Sequence, residues 1–166
     1  MPSLVGSEMC IRDRSGPGST VESTKNTRRI LSKFIKKYNI TSILDLACGD
    51  MKWMPLLLAD HPKIKFTGYD ISKFIIEKNK AKYPSMNFKV VDFTDAGIVL
   101  PKVDLILTRE VLQHIPNKSI IAGIKNIVAS NSKYFVSTNY TSKGEETNRD
   151  IHQGQAHYVD LTAEPF

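Results

Sequence analysis

Apolar positions recur along this chain in two alternating periods. Ile30, Leu31, Phe34, Ile35 and Tyr38 fall at helical spacing beneath a basic face, which predicts an amphipathic helix over 21–38. Ser42 to Leu46 is a short apolar run and reads as a first strand. Met51 to Ala59 is predicted helical, with Pro55 near the first turn, where its missing N–H does least harm. Ile64 to Asp70 reads as a second strand, and Ser72 is placed to cap a helix running to about Tyr83, which Pro84 stops. Asn87 to Asp92 predicts a third strand, and Val103 to Thr108, apolar on both faces, a fourth. Asn117 is expected to cap a helix lined by Ile120, Ile121, Ile124, Ile127 and Val128, ahead of a fifth strand over Tyr134 to Thr138. Strands alternating with helices at this spacing imply right-handed βαβ units and an α/β fold with a doubly wound, mostly parallel sheet.

At 166 residues with 41% hydrophobic content, one core and one domain are expected, over 21–166. Residues 1–20 are expected to be a disordered or artefactual leader. Ser3 to Arg14 resembles the translation of a transposon-type sequencing adapter, as found at the ends of metagenomic fragments, and Ser15 to Ser19 has the composition of a flexible leader. Setting Cys10 aside leaves Cys48 without an intramolecular disulfide partner, so a reducing cytoplasm is the expected location. The net charge of +6 raises the question of nucleic acid. The densest basic groups, Arg28 to Lys37 and Lys73 to Lys82, are spaced as solvated faces of amphipathic helices, which argues against it. No apolar run approaches the roughly 20 residues that span a bilayer, so no membrane association is expected.

The chemistry concentrates at the carboxyl ends of the strands, where open α/β sheets bind ligands. Asp45 lies at the end of the first strand, and a carboxylate buried there needs a donor or a positive charge. Ala47, Cys48 and Gly49 follow, small enough for a ligand to approach the backbone. Asp70 ends the second strand, 21 residues beyond Gly49, and is placed to accept both hydroxyls of a ribose. Asp92 ends the third, so three carboxylates are expected on one rim. The dinucleotide fingerprint G-x-G-x-x-G is missing, and Asp45 and Asp50 would repel a pyrophosphate. A nicotinamide-dependent oxidoreductase is thereby disfavoured, and a nucleoside carrying positive charge is favoured.

The segment Ile43-Leu44-Asp45-Leu46-Ala47-Cys48-Gly49-Asp50 resembles the first motif of class I S-adenosylmethionine-dependent methyltransferases, with Ala47 and Met51 standing where glycine is usual. Asp70-Ile71-Ser72, Val91-Asp92-Phe93 and Asp104 to Ile115 resemble the motifs that follow. A narrower likeness, to bacterial and phage-type methyltransferase-domain proteins, rests on Cys48-Gly49-Asp50 with Trp53 and on Asn148-Arg149-Asp150-Ile151-His152-Gln153-Gly154. The resemblance implies a Rossmann-like fold and S-adenosylmethionine as cofactor, contacted by Asp45, Ala47, Cys48, Gly49, Asp50, Asp70 and Ile71. It further implies Asp92 and Phe93 at the adenine, and Thr108, Arg109 and Glu110 beneath the methionine part. The last antiparallel strands of such folds are expected to be missing here, with Tyr158 to Leu161 at most the start of one.

Methyl transfer asks the protein to align a nucleophile with the sulfonium and exclude water. If the acceptor is a hydroxyl or amine, Glu110 and His114 are the candidate catalytic bases. The acceptor itself is unspecified, a small molecule being expected. The histidines and Cys48 show no metal-ligand spacing, so no metal is expected. A cofactor-binding or partner-binding domain of the same fold without catalysis is the alternative.

Overall fold

The first strand, β1 (Ser42–Leu46), is the centre of the molecule, buried from Ile43 onward. In the computed structural model, which describes residues 16–141, 147–152 and 155–166, it is flanked in parallel by β2 (Lys65–Asp70) and β4 (Leu105–Thr108). β3 (Asn87–Val90) lies outside β2 and β5 (Tyr134–Ser137) outside β4, giving a parallel five-stranded sheet of order β3-β2-β1-β4-β5. The direction of winding reverses between β1 and β4. Asp45 sits at that reversal, paired in register with Gly68 on one side and Leu107 on the other. The adapter-like stretch from Ser3 to Arg14, Cys10, and Gln153-Gly154 of the late motif lie outside the described residues.

Side chains alternate across the strands and so supply two cores. Ile43, Leu105 and Leu107 join Leu31 and Leu57 on one face, while Leu44, Leu46 and Ile106 join Ile120 and Ile127 on the other. The first of these cores is covered by α1 (Lys25–Tyr38), α2 (Met54–Ala59) and α3 (Lys73–Lys82), and the second by α4 (Asn117–Ala129). Ser72 caps α3 as expected, its Oγ accepting from the Ile75 N–H at 3.3 Å.

Several boundaries differ from the sequence expectation for identifiable reasons. α1 begins at Lys25, because residues 20–24 close a turn in which the Thr24 N–H donates to the Thr20 carbonyl. α2 begins at Met54 because Met51 has φ 57°, a left-handed backbone that no α-helix contains. β4 begins at Leu105, since the Val103 N–H is taken by Ser132 Oγ. β3 stops at Val90, so Asp92 lies in the loop beyond it.

Asn117 is the first residue of α4 and not its cap. Its side chain donates to the Asn148 carbonyl, and its own N–H is met by Asp150 Oδ1 at 2.9 Å. The buried stripe of that helix runs through Ile120, Gly123 and Ile127, leaving Val128 71% exposed. Tyr158 to Leu161 forms no strand. Thr147 and Tyr158 make an isolated parallel bridge, and the Tyr140 N–H donates to the Val159 carbonyl.

Candidate active site

The turn after β1 has an unusual backbone. Ala47, Gly49 and Met51 all take positive φ, at 67°, 55° and 57°. Non-glycine residues resist this region because Cβ crowds the carbonyl. The two glycines expected of the motif are absent as residues, yet the glycine conformation is kept at all three alternating positions. It is held by long-range contacts. The Cys48 N–H donates to the Tyr69 carbonyl at 2.9 Å, the Gly49 N–H to Asp70 Oδ2 at 3.0 Å, and Asn79 Nδ2 to the Gly49 carbonyl at 2.7 Å. Gly68 leaves the space that Cys48 fills, since a Cβ there would stand 2.9 Å from Cys48 Sγ.

Asp45 is buried, and desolvation raises its pKa to about 8, with the charge of Asp70 adding to the rise and Arg109 opposing it. Asp70 is also raised, first by burial, against the backbone N–H groups of Ser72, Gly49 and Ile71. Its Oδ1 accepts from Ser72 and its Oδ2 from Gly49, so its orientation is fixed while each oxygen keeps a second lone pair. Asp50 pairs with Lys52 at 3.4 Å. Burial, with the charges of Asp45 and Asp70, pushes the Cys48 thiol far up, which makes it an inert packing group. Asp45, Asp50 and the turn from Ala47 onward line a small cavity of about 30 Å³ together with Ser19, Trp53 and Arg109.

Arg109 closes this cavity. Its guanidinium lies 5.7 Å from the Trp53 ring and donates to the Gly18 carbonyl at 2.8 Å, drawing residues 18–19 over the turn. Glu110, with φ 55°, turns the chain back over the rim of β5. Gln113 Nε2 donates to its Oε2 at 2.7 Å, Thr138 Oγ1 lies 3.2 Å from its Oε1, and the Tyr140 hydroxyl also bonds to it. His114 is half-buried, and desolvation lowers its pKa even though its ring N–H meets the Gln155 carbonyl.

The other expected contacts are dispersed. Ile71 is exposed beside Asp70, whereas Thr108 is buried with its hydroxyl on Ser137 Oγ. Asp92 Oδ1 accepts from the N–H and hydroxyl of Thr94, so one of its oxygens is spent on a turn. Phe93 is not brought to the rim. It is buried against α4, so tightly that a Cβ on Gly123 would stand 2.6 Å from its ring. Among the described residues no group of three or more His, Cys, Asp or Glu side chains could hold a metal, and no helix is long and apolar enough to cross a membrane.

A family model described as a methyltransferase domain matches residues 38–163. The chain belongs to that family. No curated protein sequence matches it significantly. Solved structures similar to this methyltransferase domain include the PH0226 protein of Pyrococcus horikoshii (21% identity, 74% of this chain and 62% of that one, TM-score 0.56). The sugar N-methyltransferase KedS8 of a Streptoalloteichus species is similar at 15% identity, over 78% of this chain and 53% of that one, with TM-score 0.60. The plantazolicin methyltransferase BpumL, solved with SAH, is 20% identical over 71% of this chain and 49% of that one, with TM-score 0.56. These likenesses establish the Rossmann-like methyltransferase fold. The chain spans about half to three-fifths of the length of these relatives.

Two parts of the domain's machinery were not apparent from sequence. Asn79 is buried on the apolar stripe of α3, and a polar residue interrupting Ile75 and Ile76 at helical spacing is the signal that marks it. The late motif acts as a clasp. Asn148 Nδ2 donates to the carbonyls of Asp160 and Glu164, its Oδ1 accepts from the Asp160 N–H, and Asp150 caps α4. Those contacts fold the terminal segment on itself and fix it to the first turn of α4.

Proposed function

We propose that this domain transfers a methyl group from S-adenosylmethionine to a small-molecule acceptor, working in the cytoplasm. The observation that carries the reading is the turn of Ala47, Gly49 and Met51 beside the buried Asp45. Its donor set fits the cofactor. A desolvated carboxyl with a raised pKa is stabilised by an ammonium or sulfonium and not by a phosphate. On this reading Asp45 and the backbone of Ala47 to Asp50 hold the amino-acid end, Asp70 the ribose hydroxyls, and Asp92 with Ile71 the edge of the base. Thr108 and Arg109 floor the methionine part. The ring of Phe93 is given no contact, because it is enclosed by the core.

The cofactor supplies an electrophilic methyl group on sulfur. What the chain contributes is alignment and exclusion of water by Arg109 and Trp53, and a proton acceptor in Glu110. His114 is the second candidate: burial lowers its basicity, while the nitrogen opposite its carbonyl-bound N–H can still accept a proton. A cavity of about 30 Å³ holds roughly one water, so residues 18–19 must move aside for a nucleoside. Burial of the free Cys48 thiol is compatible with a reducing compartment.

Titration of S-adenosylmethionine, S-adenosylhomocysteine and NAD, followed through the fluorescence of Trp53, tests the reading. Binding of both adenosyl compounds, lost in Asp70→Ala, is expected; binding of NAD alone overturns it. The Arg109 to Gly18 contact favours a second reading, binding without turnover. Tight cofactor binding with no methyl transfer to any acceptor offered, even after Arg109→Ala, would select it.

A further inference from the structure

We infer that the acceptor is an amine, its ammonium form held by the Glu110 carboxylate beside the ring pair of Tyr140 and Tyr158. The inference rests on the methyl-transfer reading and narrows it. Glu110 follows Thr108 and Arg109 off the end of β4, next to the cavity above Asp45, so it flanks the place where a nucleophile would meet the methyl group.

Its surroundings specify charge. Gln113, Thr138 and Tyr140, which bond to it, are neutral groups, and the charged neighbours are Arg109, which acts on the same Tyr140 hydroxyl, and His114. A half-buried carboxylate held by neutral donors still favours a positive ligand. The rings of Tyr140 and Tyr158 lie 5.4 Å apart, and Tyr158 is 53% exposed, so an aromatic face is open beside the carboxylate. A carboxylate with an aromatic face is the pairing that recognises ammonium groups.

Reactivity gives the same answer. An alcohol must lose a proton held about as tightly as that of water, which a carboxylate cannot remove effectively. The imidazoles of the rim are no better placed. Burial lowers the basicity of His114, and His157 is buried with Nδ1 on the Arg149 carbonyl. A thiolate would be repelled by Glu110. A primary ammonium titrates near about 10 and can pass a proton to the carboxylate, and thence to water. The freed nitrogen lone pair then forms the N–C bond, the C–S bond breaks, and its electrons remain on sulfur as a neutral thioether. The methylated nitrogen carries the positive charge until it loses its remaining extra proton.

The test uses the full chain, alone and saturated with S-adenosylhomocysteine, titrated with n-butylamine, n-butanol and n-butanethiol while the amide resonances of Glu110 and Tyr140 are followed. Butylamine is expected to shift both, with or without the cofactor product, and the alcohol and thiol to shift neither. Glu110→Gln should weaken the butylamine response about tenfold, and the exposed substitution Tyr158→Leu should weaken it several-fold while leaving S-adenosylhomocysteine affinity unchanged. Mass spectrometry with S-adenosylmethionine should find N-methylbutylamine. An equal response to butanol, or no response to butylamine in either state, overturns the inference even if the cofactor binds. Failure of S-adenosylhomocysteine to bind, with the amine response intact, overturns the cofactor reading instead.

Discussion

The Asn79 side chain donates to the Gly49 carbonyl at 2.7 Å, so a helix on the far side of the sheet from α4 sets the shape of the turn after β1. Without that donor the carbonyl is left unmet beside a new void. Asn79→Ala is expected to lower stability by about 1–3 kcal/mol, measured by urea unfolding, and to weaken S-adenosylmethionine more than Glu110→Gln does. Equal affinity in Asn79→Ala and the parent chain would show that the turn holds itself.

Ala47 and Met51 share a left-handed backbone, but opposite responses to glycine are expected. Ala47→Gly relieves strain and should stabilise by about 0.5–1 kcal/mol. Met51 is 2% exposed within the core, and removing its side chain should cost about 2–5 kcal/mol, which outweighs the same relief. Melting temperatures of the two variants therefore move in opposite directions.

Asp45 makes stability depend on pH. Its pKa is about 8 in the folded chain against 3.8 when exposed, so between those values the folded state keeps a proton that the unfolded state has lost. Stability should fall as pH rises through that window, by up to about 1.4 kcal/mol per unit, and the slope should flatten in Asp45→Asn. Binding of a cation reverses the penalty. Calorimetry at pH 7 in two buffers of different ionisation enthalpy should detect about one proton released with S-adenosylmethionine, and none in Asp45→Asn.

Phe93 and Gly123 test the reassignment of the adenine contact. Gly123→Ala places a methyl 2.6 Å from the Phe93 ring and should destabilise by about 1–3 kcal/mol. Phe93→Leu should lower the melting temperature yet leave cofactor affinity within about twofold, a ΔΔG below RT. A large loss of affinity in the folded variant would return Phe93 to the site.

Opening of the arm should accompany binding. Arg109→Ala removes the bond to the Gly18 carbonyl and should speed amide exchange at Ser19, whose N–H bonds to Gly16. S-adenosylmethionine should do the same to the parent chain, with a change in Trp53 emission as the guanidinium leaves its ring.

The strand and helix pattern was legible because burial on two faces writes continuous apolar runs into β1 and β4, and helical spacing into α1 and α4. The acids at Asp45 and Asp70 were legible too, since a charge at the end of an apolar run stands out. Phe93 was not, because an aromatic after a strand reads alike whether it faces ligand or core, and Gly123, 30 residues away, decides. The φ values of Ala47 and Met51 were hidden, since their side chains give no sign of a backbone imposed by Tyr69, Asp70 and Asn79. Asn117 resembled a cap, and only its contact with Asn148 shows otherwise.

Asn148 ties the terminal segment to itself through Asp160, while Asn117, Asp150 and the buried Val159 join that segment to the domain, with one isolated bridge in place of a strand. The segment is therefore seated on the core of the α4 face through Val159, with Leu161 and Phe166 packed against that core, and it can open only with the loss of those apolar contacts. Its exposed positions, Tyr158 first among them, are free to vary, because the core beneath does not depend on them.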